Sequence, residues 1–310
     1  MQYKQAIRIC RKNKSKTQNL KLFKGVIMKE IKNSMSLKAY IKNKAKEKHI
    51  SSQLVMQNYM LERLLERISL SKYKNNFILK GGFLISAIVG IDSRTTMDLD
   101  TTIKGIDLDK EVLNNVLNEV CTIDLSDNIK FEVLGLEDIR EKDDYPGIRV
   151  KINGLYPPLK VPLSVDMTTG DKITPREINY SFTSLFEDKK INVLAYNLET
   201  ILAEKIETIL SRSIANTRAR DFYDIYILHK LYVDKINPTD LKNAITATLE
   251  KRNTLYLLDD YKTILEKISK DSGIADLWDR YKKTFDYTSE ASLTESLEIV
   301  QELISKILST

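Results

Sequence analysis

Histidine and cysteine are nearly missing from this 310-residue chain, with two of each. Cys10 and Cys121 lie far apart and show no ligand spacing, which fits a reducing cytosol and argues against zinc. His49 and His229 are too few to build histidine-based metal or triad chemistry, so carboxylates must do any acid or metal work. No window approaches the roughly 18 consecutive apolar residues of a membrane span. The charged N-terminus is followed by neither an apolar core nor a small-residue cleavage site. These absences predict an unexported, cytoplasmic chain with no membrane contact. No internal repeat is present.

What is there is a globular composition, 42% hydrophobic, at a length that predicts about two domains. Its charge is unevenly spread. Residues 1–34 hold ten Lys or Arg against the single acid Glu30, a net of +9, so the other 276 residues carry −3 to give the chain's +6. This arm reads either as upstream or expression-derived sequence before a start at Met28 or Met35, or as an electrostatic arm that gathers a polyanion such as tRNA.

The most chemically suggestive stretch runs from Lys80-Gly81-Gly82 to Asp98-Leu99-Asp100. The apolar run Phe77-Ile78-Leu79 meets a glycine pair that opens Phe83 to Val89, long enough for a short buried helix. Two glycines at a positive helix end leave N–H groups open to a phosphate, although a Gly-Gly pair also serves as a plain tight turn. Asp98 and Asp100 fall in a segment whose Thr96, Thr101, Thr102 and Ile103 favour a strand, where alternate residues share a face. Paired carboxylates are unfavourable unless solvated or bridged by a cation, for which Mg²⁺ is suited.

Helical spacing over 36–70 is core packing, with Glu62-Arg63 and Glu66-Arg67 expected on a solvated face. Interleaved helix and strand patterns follow at 110–120, 129–134, 148–152 and 159–167, with 153–158 turn-like between the last two; the unit is α/β or α+β. Asp166 points with Pro162 and Ser164, placed either to cap a strand or to join Asp98 and Asp100. After a strand at 191–194, Asn197 caps a helix to about Ser211 whose apolar stripe contains Lys205. An ammonium there either snorkels or meets an anion such as a nucleotide triphosphate. Asp221 and Asp224 open the next helix on one face, as dipole partners or as site residues. From Pro238 onward the chain reads as helices, with Trp278 and Tyr281 as packing residues.

With those residues in order, residues 35–227 resemble the AbiEii/AbiGii nucleotidyltransferase-like toxins of bacterial abortive-infection toxin–antitoxin pairs. The matching elements are Leu79-Lys80-Gly81-Gly82, Arg94-x-Thr96-x-Asp98-Leu99-Asp100, Asp166, Leu202-Ala203-Glu204-Lys205 and Arg220-Asp221-Phe222-Tyr223-Asp224. Gly82 stands where the broader superfamily pattern has serine, and the gap to Asp98 is long.

The resemblance implies an α+β fold of the DNA polymerase β-like nucleotidyltransferase type, a mixed sheet backed by helices. Beyond the arm at 1–34, which has no counterpart in the resemblance, the chain divides into a nucleotidyltransferase domain with N-terminal helices at 35–195 and a helical C-terminal domain at 196–310. It further implies transfer of a nucleoside monophosphate from an NTP to a hydroxyl of a tRNA 3′ end. The outcome would be blocked translation in phage defence, held in check by a cognate antitoxin. Asp98, Asp100 and Asp166 would hold Mg²⁺ in a two-metal arrangement. Lys205 would neutralise charge and Asp221 would orient Lys205 or the acceptor. Lys80, Gly81, Gly82, Arg94, Thr96 and Lys205 would face the nucleotide. A protein acceptor, or a nucleotide- or RNA-binding module without catalysis, are the rival readings.

Overall fold

The computed structural model describes residues 33–139 and 147–309, so the expectation for the arm lies outside the described residues apart from its last two positions. Within them are ten α-helices and seven strands. The chain begins with α1 (Ser34–Lys48) and α2 (Ser52–Leu70). Asn33 and Ser36 close a reciprocal capping box at the start of α1, and Ser51 accepts from the Leu54 N–H at the start of α2.

Then come β1 (Phe77–Lys80), α3 (Gly81–Val89), β2 (Asp98–Ile103), α4 (Lys110–Cys121), β3 (Lys130–Ile139), β4 (Gly147–Tyr156), β5 (Leu159–Thr168), β6 (Ile178–Thr183) and β7 (Lys190–Ala195). They form one mixed sheet in the order β3-β4-β5-β2-β1-β7-β6. Strand β2 runs parallel to β5 and antiparallel to β1, while β1 runs parallel to β7. The centre of the sheet is therefore β5-β2-β1, the strands that carry Asp166, Asp98, Asp100 and Lys80. Past Ala195 the described chain is helical: α5 (Leu198–Arg212), α6 (Ala219–Tyr232), α7 (Pro238–Lys251), α8 (Leu257–Lys270), α9 (Ser272–Thr284) and α10 (Leu293–Ser309). Asn197 caps α5 by accepting from the Thr200 N–H at 2.7 Å.

Three expectations change. Residues 153–156 continue β4 and pair with β5, so the turn is confined to Pro157-Pro158. Strand β6 pairs antiparallel with β7 at the sheet edge and was not anticipated; its burial is irregular, which hides the period-two signal.

The third concerns α2. Glu62, Arg63 and Arg67 are buried, not solvated. Arg67 makes a two-pronged bond to Asp127 at 3.0 and 2.8 Å, donates to the Ile129 carbonyl at 2.8 Å and lies over the Phe131 ring. Arg63 reaches Glu187 at 2.8 Å, and Glu62 accepts from the Ser184 hydroxyl and the Leu185 N–H. Burial pushes the Glu62 carboxyl up to about 7 against the pull of those donors. These side chains fasten the loops around 124–129 and 184–189 to α2, because a helix flanked by structure on both sides must satisfy polar groups internally.

Arg67→Met would leave Asp127 without its buried partner and should cost about 3–5 kcal/mol in urea unfolding. A change within about 0.5 kcal/mol, the range of ordinary surface substitutions, would contradict this burial.

Candidate active site

One residue from each of four adjacent strands occupies the same cross-strand row: Lys80 faces Asp100, Asp100 faces Asp166, and Asp166 faces Arg149. Directly opposed residues present their side chains to one face, so the row reads cation, two carboxylates, cation. Asp98 lies two residues before Asp100, on the same face and exposed. The row borders a cleft of about 710 Å³, lined from the helical region by Lys205, Thr208, Arg212, Arg218, Arg220 and Asp221 among others. All ten residues singled out in the sequence, Lys80, Gly81, Gly82, Arg94, Thr96, Asp98, Asp100, Asp166, Lys205 and Asp221, line it.

The glycine pair is fitted to Asp100. Gly81 has φ +64°, and a Cβ there would fall 2.1 Å from Asp100 Oδ2, an impossible contact. Gly82 N–H, in the first turn of α3, donates to the same oxygen at 3.3 Å. The positive end of the helix is thus directed at this carboxylate. A Cβ on Gly82 would meet Thr96 Oγ1 at 3.0 Å and Arg94 Nη2 at 3.3 Å. That crowding gives a local reason for glycine where the broader pattern has serine.

Arg94 and Lys205 do not present free charge to the cleft. Arg94 Nε donates to Asp224 at 2.6 Å, and Lys205 Nζ donates to Asp221 at 2.6 Å and lies 2.8 Å from Asp224. Arg218 Nε stands 3.2 Å from the other Asp221 oxygen. The result is a chain of alternating charge from α6 across α5 to the segment before β2. Of the two fates expected for Lys205, meeting an anion holds, but the anions are Asp221 and Asp224 of the next helix. Burial pushes the Asp224 carboxyl up, and the charges of Arg94 and Lys205 overcome it and bring the group down to about 2. Lys80 is likewise committed: it pairs with Asp171, donates to Thr168 Oγ1 at 2.6 Å and lies over the Tyr196 ring. Asp171 also accepts from Thr102 at 2.6 Å.

Asp98 is the counterpart. Partial burial, then the negative charges of Asp100 and Asp166, raise its pKa, with Arg149 and Arg220 pulling the other way. Mutual repulsion among hard oxygen donors is the situation a divalent cation relieves, so Asp98 and Asp100 fit an Mg²⁺-like ion. Asp166 is coupled to them but held: Arg149 donates to both its oxygens at 2.7 Å. Among the described residues no three His, Cys, Asp or Glu side chains converge as a ready metal site.

Sequence reasoning missed Arg149, Asp171, Arg212, Arg218, Arg220 and Arg252 as cleft residues. For Arg149 a signal existed, since it takes the polar side of the alternation Ile148-Arg149-Val150. Asp171 depends on how β1, β2 and β5 come together around it, and the four remaining arginines on how the helices meet the sheet.

Paired strand carboxylates beside a glycine-opened helix, in a cleft rich in cations, are an arrangement suited to phosphoryl and nucleotidyl transfer. Residues 63–302 match the family described as nucleotidyl transferase AbiEii toxin, Type IV TA system, and the chain belongs to that family. Two Helicobacter pylori crystal structures are similar. One, a candidate nucleotidyltransferase, is 16% identical over 84% of this chain and 98% of its own, with a TM-score of 0.45. The other, JHP933, is 15% identical over 84% of this chain and 95% of its own, also with a TM-score of 0.45. No curated protein matches the chain. Among the described residues, no helix is long and apolar enough to cross a membrane.

Two substitutions test these electrostatics. Because the folded Asp98 carboxyl lies above its unfolded value, its contribution to stability is fully present below about pH 3.9 and is lost as pH rises through the folded pKa. Asp98→Asn should therefore raise the Tm at neutral pH in a chelator, and added Mg²⁺ should narrow the gap; a lower Tm would refute the repulsion. Asp224 has the opposite sign. Its contribution is present above about pH 3.9 and lost as pH falls towards 2, so Asp224→Asn should cost about 3–5 kcal/mol at pH 7, and less in acid. Equal cost at both ends of a pH series of urea melts would contradict the pairing.

Proposed function

We propose that this chain transfers a nucleoside monophosphate from an NTP to a hydroxyl acceptor, a tRNA 3′ end, and so blocks translation in an abortive-infection response to phage. The observation that carries the reading is the row Asp100-Asp166 with Asp98 beside it, set at the glycine-opened end of α3. Membership of a toxin family supplies the biological setting and the expectation of an antitoxin.

Asp98 and Asp100 would hold Mg²⁺, with Asp166 contributing a second position. When bound, the ions neutralise the triphosphate and lower the cost of charge at the attacking oxygen. The chain's own groups do the rest. In the transfer, the acceptor oxygen bonds to the α-phosphorus, the bond to the β-phosphate oxygen breaks, and pyrophosphate departs. The acceptor proton passes to the carboxylate cluster. Lys205, oriented by Asp221 and Asp224, faces the phosphates from the helical side, while Arg94 fixes Asp224 and thereby Lys205. Arg212 and Arg220 line the same side and would meet the phosphates of nucleotide or acceptor. Gly81 and Gly82 admit the phosphates close to the backbone, and Thr96 borders them. Lys80, held by Asp171, closes the row at its β1 end. On this reading the catalytic unit is 35–195 and the helical domain 196–310, with the substrates between them.

The test is pyrophosphate release with each NTP in turn and total tRNA, with α-labelled NTP to follow the acceptor. Asp98→Ala should lower release by at least about a thousandfold, the scale of losing an electrostatic catalytic group. Release that persists in folded Asp98→Ala would overturn the reading, and label in protease-sensitive material would move the acceptor from RNA to protein.

A further inference from the structure

Asp166 differs from Asp98 and Asp100 in one respect: it already has a cation. Arg149 projects from the neighbouring strand, directly opposite in register, and its Nε and Nη2 each lie 2.7 Å from a different oxygen of the carboxylate. This is the planar fork–carboxylate geometry that lysine cannot reproduce. The Asp166 side chain is 14% exposed, whereas that of Arg149 is 42% exposed. The carboxylate is therefore fixed and its partner is at the surface of the cleft. One guanidinium thus neutralises Asp166 at the end of the row that also holds Asp100.

We propose that Arg149 is a displaceable counter-cation: it occupies Asp166 until substrate arrives, and a divalent cation can engage Asp166 only when the guanidinium leaves. The proposal rests on the nucleotidyl-transfer reading for the identity of the site. Two favourable placements make the exchange possible. Arg149 and Asp166 both line the cleft, so the released guanidinium stays among incoming phosphates, which are bidentate partners of the same kind. Asp166 keeps its cross-strand place beside Asp100 whether or not Arg149 is bound, because the register of β2 with β5 holds it there. Arg149 is accordingly a positioning residue. It keeps the third carboxylate neutralised in the nucleotide-free protein and couples cation loading to triphosphate binding.

The measurement is Mn²⁺ uptake by the full-length, nucleotide-free protein, followed by EPR of the free ion at neutral pH. Wild type, Arg149→Gln, Arg149→Lys and Asp98→Asn are compared, with folding checked by circular dichroism. Wild type should take up Mn²⁺ in an Asp98-dependent manner. Arg149→Gln should bind a further Mn²⁺, or bind the first about tenfold tighter, as removal of a nearby like charge implies. Arg149→Lys keeps the charge but loses the fork, and should fall between the two; it also serves if the Gln variant fails to fold. Arginine variants with wild-type stoichiometry and affinity would overturn the proposal. Wild type without Asp98-dependent Mn²⁺ would count against the nucleotidyl-transfer reading instead, and the arginine variants would still decide the clamp by gain or no gain.

Discussion

Three carboxylates gathered on one face of a central sheet repel one another, and much of the architecture around them answers that repulsion. Asp100 receives the N–H of Gly82 at a helix start, which requires a glycine at 81 because any side chain would strike the acid. Asp166 receives the whole fork of Arg149. Asp98, exposed at the start of β2, receives least, and its raised pKa is the residue of the conflict. Such a cluster gives up stability at the place where a charged ligand would restore it.

The helical region is fastened to this cluster by buried charge. Asp224 bridges Arg94, from the segment before β2, and Lys205, from α5, while Asp221 takes the second side of the lysine. Removing any one partner strands the others in a low-dielectric setting, so the network ties the sheet and α5 and α6 into a fixed mutual orientation. Tyr223, one residue earlier on α6, adds a hydrogen bond to the Ser93 carbonyl next to Arg94. Lys205 therefore reaches the cleft in a determined position and with its charge already shared, which tempers it as a phosphate ligand.

Much of the site could be read in the sequence because its parts are local. A glycine pair after an apolar run, and acids two apart in a β-branched segment, carry their geometry in their spacing, while alternation gave Asp166 its face and left open whether it capped the strand or joined the other two acids. The apolar stripe of α5 exposed Lys205 as an anomaly for the same reason. What escaped is what depends on tertiary approach. Arg149 reads as an ordinary outward strand residue until β4 is laid against β5, and Asp171 as a turn acid until Lys80 is seen above it. Glu62, Arg63 and Arg67 look like a solvated helix face because helical periodicity cannot tell which side another loop will cover. Strand β6 and the extension of β4 through residue 156 were lost to irregular burial and to a polar Asn-Gly step.

The central claim is that Asp98 and Asp100 together receive a divalent cation with the nucleotide. Crystals grown with Mn²⁺ and a non-hydrolysable NTP analogue test it through the anomalous signal of the metal. The account predicts a peak bonded to oxygens of both Asp98 and Asp100 and to the triphosphate, at the glycine end of α3. A nucleotide bound in the cleft with no metal at those two carboxylates, or a metal held elsewhere in the chain, would contradict it.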